Sequence, residues 1–146
     1  MHILVATDAD FVLDEITAAL SGPDTSFTVC RNGRDVVRVV AQRTPDLAIL
    51  DLQVGSMGGM AVTMALRLDE SSGALPHVPV LMLLDRRADV HLAKRSAADA
   101  WVIKPLDALT LQLAVDRILN PAPPDAGADD SDIAPDSAEE EPAPVG

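Results

Sequence analysis

Three short, uninterrupted apolar runs, each closed by polar residues, constrain this chain more than any other feature. Ile3-Leu4-Val5-Ala6 ends in Thr7-Asp8, Leu47-Ala48-Ile49-Leu50 ends in Asp51, and Trp101-Val102-Ile103 ends in Lys104-Pro105. Bounded runs of this length, apolar at every position, read as strands buried on both faces of a parallel sheet. In an open parallel sheet the functional crevice lies outside the carboxyl ends of the strands. The closing residues would converge there: two carboxylates, an ammonium, and the Thr7 hydroxyl where a third carboxylate could stand. Such a set suits a divalent cation beside a phosphoryl group.

The rest of the chain supplies the connections that such a sheet needs. A helix is expected over residues 10–21, with Leu13, Ile16 and Leu20 inward and Gly22-Pro23 as its stop. Strand two follows over residues 25–30. Asn32-Gly33 opens a helix to residue 43, with Val36, Val37, Val39 and Val40 inward. Strand three covers residues 46–51, and a glycine-rich loop covers 54–59. A helix over 60–69 is broken by Ser71-Ser72-Gly73, and strand four spans 78–84. A short helix over 87–96, strand five over 100–103 and a last helix to 119, capped by Asp107, complete the pattern. Five strands alternating with five helices predict an α/β domain built on a doubly wound, five-stranded parallel sheet.

The 146 residues suffice for one such domain, over 1–120, and a tail over 121–146. The tail holds eight acids (Asp125, Asp129, Asp130, Asp132, Asp136, Glu139, Glu140, Glu141), six prolines and no Lys or Arg. A segment of that composition has too little apolar surface to offset its ordering entropy, so disorder is expected there. Removing its eight charges from the overall −12 leaves −4 for residues 1–120. A net negative charge argues against nonspecific attraction to nucleic acid or anionic lipid. The lone Cys30 cannot form an intrachain disulfide, no apolar run reaches the roughly 20 residues of a membrane span, and no cleavable leader is visible. A cytoplasmic protein without direct membrane insertion is expected.

The residues closing the strands, taken together, resemble the receiver domain of bacterial two-component response regulators, over about residues 1–120. The markers are Asp8 after strand one, Asp51 after strand three and Lys104-Pro105 after strand five. The resemblance implies a flavodoxin-like, CheY-like fold and a signalling role rather than an enzyme's. It implies that Asp51 accepts a phosphoryl group from a histidine kinase. It further implies Mg²⁺, weakly held by Asp8, Asp51 and the backbone carbonyl of Gln53, with Lys104 pairing the phosphoryl oxygens and a cis Lys104-Pro105 bond. The chain also departs from the family pattern. Thr7 stands where a second acid is usual, Leu84 where a Ser or Thr hydroxyl is usual, Gly55-Ser56 where Pro-Gly is usual, and Trp101 where Tyr or Phe is usual. One acid fewer should weaken cation binding. Loss of the hydroxyl removes a group through which phosphorylation is read out.

Two surfaces add to this reading. In the last helix Ala108, Leu111, Val115 and Ile118 make a core stripe, while Leu109 and Leu113 fall on another side. A helix apolar nearly all round is either packed deeply or carries a docking face. Arg87, His91, Lys94 and Arg95 share one side of the fourth helix, as a solvated face or as a patch for an acidic partner or the acidic tail. The segment Asp8-Ala9-Asp10-Phe11-Val12 also matches the DxDxV start of haloacid-dehalogenase-type phosphatases, but Leu84 lacks the hydroxyl that reading needs. The combined expectation is an atypical stand-alone receiver acting through another protein. It would be a docking unit with Asp51 a vestigial or conditional phosphoacceptor, or alternatively a phosphorylation-dependent relay for a histidine kinase. The departures favour docking. The chain is similar to orphan receivers of high-GC bacteria associated with respiratory type I NADH dehydrogenase, which implies complex I as the large assembly it joins.

Overall fold

The computed structural model describes residues 1–121, so the expected tail lies outside the described residues, apart from Pro121. Five parallel strands form one sheet in the order β2-β1-β3-β4-β5: β1 (His2–Ala6), β2 (Ser26–Cys30), β3 (Leu47–Asp51), β4 (Val80–Leu84) and β5 (Ala100–Ile103). Every residue of β1, β3 and β4 is buried, which is why their sequences are apolar without alternation. The edge strands β2 and β5 are only partly buried.

Five helices cover the sheet: α1 (Asp10–Leu20), α2 (Val36–Gln42), α3 (Gly59–Ser72), α4 (Val90–Arg95) and α5 (Ala108–Leu119). On one face Ile3, Val5, Ile49, Leu81 and Leu83 meet Val12 and Ile16 of α1 and Leu111 and Val115 of α5. On the other, Leu4, Ala48 and Leu50 meet Val36 and Val40 of α2 and Val62 and Leu66 of α3. Successive strand residues thus feed opposite layers. A smaller cluster of Met82, Leu84, Val90 and Ala93 lies under α4, with Trp101 and Ile103 packed against it. Burying one Leu, Ile or Val side chain is worth ~1.5–3 kcal/mol, so the two main layers carry the fold.

The predicted elements are all present, with shifted ends. Residues 33–35 and 87–89 form 3-10 turns ahead of α2 and α4, so Arg87 sits in a turn and α4 itself has six residues. Asn32 accepts a hydrogen bond from the Asp35 amide and holds the first of these turns. The third helix runs three residues past its expected end. Ser71 and Ser72 do not stop it; Gly73 does, at φ 86°, where a side chain would be costly. Strand four starts at Val80 instead of Val78, because Pro79 has no amide hydrogen for the ladder. In α5 the buried stripe is Leu111, Ala114 and Val115, and Ala108, expected inward, is exposed in the first turn. Asp107 caps that helix by accepting from the Thr110 amide at 2.9 Å, and Lys104-Pro105 is cis.

At the opposite rim from the strand ends, Arg67 of α3 ties the layers together. Its guanidinium donates to the carbonyls of Val78 (2.9 Å) and Ala97 (3.0 Å) and to Asp99 (2.7 Å). His77 bridges Glu70 and Asp99 beside it.

Candidate functional site

Asp8, Asp51 and Lys104 follow or end β1, β3 and β5 on one rim, as the direction of a parallel sheet requires. Asp51 is 2% exposed, and a carboxylate so deeply placed must be paired to remain charged. Its Oδ1 accepts from the Lys104 ammonium at 2.9 Å and from the Gln53 amide at 3.1 Å; its Oδ2 accepts from the Thr7 hydroxyl at 2.9 Å. Thr7 is fully buried, and its oxygen also accepts from the Ala9 amide. Position 7 therefore replaces a charge with a hydrogen bond donor aimed at Asp51.

Asp8 is exposed and accepts from the Gly55 amide at 3.2 Å. A Cβ at position 55 would stand 3.0 Å from that carboxylate oxygen, so glycine lets the loop close over Asp8. Among the described residues no cluster of three or more His, Cys, Asp or Glu is arranged to hold a metal ion. Two carboxylates and a backbone carbonyl nevertheless fit Mg²⁺, which takes few protein ligands and keeps several waters.

The structure adds a residue that the sequence reading passed over. Asp85, directly after β4, places Oδ1 3.0 Å from Lys104 Nζ, so one ammonium bridges two carboxylates. Burial works against the charge on Lys104, but its hydrogen bonds to Asp51 and Asp85 outweigh that penalty and hold its pKa above the ordinary lysine value. The signal for Asp85 was present: it closes the apolar run Val80–Leu84 just as Asp51 closes β3. Leu84 itself is fully buried in the cluster under α4 and offers the site no polar atom. Trp101 packs against the same cluster. Its indole Nε1 is buried without a hydrogen bond partner among the described residues, and Lys94 lies 5.9 Å from the ring centroid.

The surface residues separate into two groups. Leu109 and Leu113, one turn apart on α5, are 62% and 53% exposed. Arg87, His91 and Lys94 are exposed around α4, on the opposite side of the sheet from α5, with the edge strand β5 between the two helices. Asp10, the acid that a phosphatase of the DxDxV type would need, begins α1 and pairs with Arg31 at 2.5 Å.

The family model described as the response regulator receiver domain matches residues 3–116. Protein PilH of Pseudomonas aeruginosa is 27% identical over 118 residues, covering 81% of this chain and 97% of PilH. The DNA-binding response regulator MtrA of Mycolicibacterium smegmatis is 33% identical over 106 residues, covering 71% of this chain. The chain spans only 44% of the length of MtrA. Among solved structures, the receiver domain of the sensor histidine kinase PA1611 from Pseudomonas aeruginosa superposes with a TM-score of 0.71 at 21% identity. That match covers 81% of this chain and 96% of the other, which carries a magnesium ion in its active-site cleft.

Proposed function

The chain belongs to the response regulator receiver family, and from that premise we propose a receiver that works chiefly by docking onto a protein partner, with Asp51 as a conditional phosphoacceptor. The observation that carries the acceptor role is the buried Asp51 carboxylate held 2.9 Å from the Lys104 ammonium at the carboxyl end of β3. In the transfer, an Asp51 oxygen forms a bond to phosphorus as the P–N bond of a phosphohistidine breaks. The imidazole leaves with the electron pair and takes a proton. Lys104 neutralises charge on the phosphoryl oxygens, which is most of what such a reaction asks of a protein. Asp8, Asp51 and the Gln53 carbonyl would hold Mg²⁺, whose charge would offset that of the incoming group.

The docking role draws on different residues. With Leu84 buried and Trp101 packed in the same apolar cluster, no hydroxyl at that position can follow the phosphoryl group. Partner surfaces already formed in the resting protein suit this arrangement: Leu109 and Leu113 provide an apolar patch on α5, and Arg87, His91 and Lys94 a separate basic patch around α4, across the edge strand β5. The matching partner presents an apolar patch to α5 and an acidic one to α4. Resemblance to orphan receivers points to respiratory complex I, which would place the protein in the cytoplasm, peripheral to a membrane through that assembly. The receiver unit would span residues 1–120 and the acidic tail 121–146. Among the described residues no helix is long and apolar enough to cross a membrane.

One binding comparison separates docking from relay. Purified respiratory NADH dehydrogenase is titrated with the wild type, Asp51→Asn and Leu109→Asp. Docking predicts that Asp51→Asn binds like the wild type and Leu109→Asp at least about tenfold more weakly. If Asp51→Asn loses binding, or acetyl phosphate is needed for any binding, the relay for a histidine kinase becomes the better account. Intact mass after acetyl phosphate and Mg²⁺ treatment tests the acceptor itself: the adduct should be absent in Asp51→Asn.

A further inference from the structure

The three carboxylates and one ammonium of the site are distributed unusually. Thr7, where the resemblance expects an acid, meets Asp51 Oδ2, while Asp85 adds an acid beside Lys104, which meets Oδ1. The Asp85 side chain is 36% exposed, so its charge is open to solvent and to an approaching donor, and it already occupies Lys104 at 3.0 Å. A phosphoryl group bound to Asp51 would compete with Asp85 for the same ammonium and would meet its negative charge. We propose that Asp85 is a resident counter-anion that holds Lys104 and slows phosphorylation, so that Asp51 is modified fastest by a donor that draws Lys104 away or neutralises Asp85. A basic group on the phosphodonor protein, placed against Asp85, is the chemistry that would do so. The inference rests on the reading of Asp51 as acceptor.

The contrast with an ordinary ion pair is in its direction. If Asp85 only tethered Lys104 in a useful position, removing its charge would weaken the site. If it competes with the phosphoryl group, removing its charge must strengthen the site. Asp85→Asn keeps the shape and removes the charge. Asp24→Asn changes net charge equally from an exposed position ahead of β2, at the far rim.

The experiment measures the affinity of full-length protein for beryllofluoride, a phosphoryl mimic, in the presence of Mg²⁺, and the rate of labelling by acetyl phosphate. Asp85→Asn should bind the mimic about tenfold more tightly than the wild type and label correspondingly faster, while Asp24→Asn matches the wild type. Equal or weaker binding in Asp85→Asn overturns the inference and leaves Asp51 as acceptor. No binding of the mimic to either protein overturns both the inference and the acceptor reading.

Discussion

Thr7 shows how one side chain can tune a charged pocket without carrying charge. Its hydroxyl satisfies Asp51 Oδ2, whereas a carboxylate there would face the Asp51 carboxylate and require a cation. Thr7→Asp should therefore lower the melting temperature in chelator and make it rise with added Mg²⁺ more steeply than in the wild type, because ligand charge sets affinity for hard cations and binding stabilises the folded state. A melting temperature indifferent to Mg²⁺ would refute this account of position 7. Sequence conveyed only part of this pocket. Asp8, Asp51 and Lys104 were legible as residues closing buried strands. Asp85 obeys the same rule but stands beside Leu84, where the family pattern directs attention to a missing hydroxyl. That one ammonium is shared by two carboxylates depends on side-chain reach, which spacing along a chain does not encode.

His2 gives a pH dependence with a definite sign. Its ring lies between the hydroxyls of Ser26 and Thr28, and burial, aided by Arg43, lowers its pKa against the opposing pull of Asp46. The unfolded chain gains the proton first as pH falls. This contribution to stability is complete above the ordinary histidine value, declines as pH drops through it, and levels off below the folded value. Thermal melts between about pH 7.5 and about pH 5.5 should show a decline in the wild type that is shallower in His2→Gln.

Among the elements, the 3-10 turn before α2 is fixed by an unusually close approach. A Cβ on Gly33 would lie 1.7 Å from the Met57 carbonyl oxygen and 2.9 Å from Val62 Cγ2. The turn thus rests directly on the loop that follows Asp51. Gly33→Ala should cost about 2 kcal/mol or more, as overpacking typically does, read as a shift of the denaturant midpoint; an unchanged midpoint would mean that the two loops are not in this contact. Element boundaries were the least legible part of the sequence. The 3-10 turns before α2 and α4 and the extension of α3 to Gly73 arise from local hydrogen bonds that apolar periodicity does not register. The periodicity of α5 did separate Leu111 and Val115 from Leu109 and Leu113, because a twelve-residue helix repeats its pattern long enough to be read.

For the whole molecule, the rim away from the site carries its own tie. Arg67 joins α3 to the segments that lead into β4 and β5, and Asp99 answers both Arg67 and the Val80 amide at 2.7 Å. Arg67→Ala would leave two carbonyls and a partly buried carboxylate short of a donor. A loss of about 2–4 kcal/mol is expected from equilibrium unfolding, with labelling of Asp51 by acetyl phosphate retained, because the two rims share no side chain. A loss below ~0.5 kcal/mol would show that solvent replaces the guanidinium at no cost.

The position of Trp101 has a practical corollary. It is the sole tryptophan of the chain, and its indole nitrogen is shut away in the apolar cluster beneath α4. The protein therefore holds a built-in optical reporter: intrinsic emission should shift to the red with any displacement of α4 from the edge of the sheet, without a dye or a label.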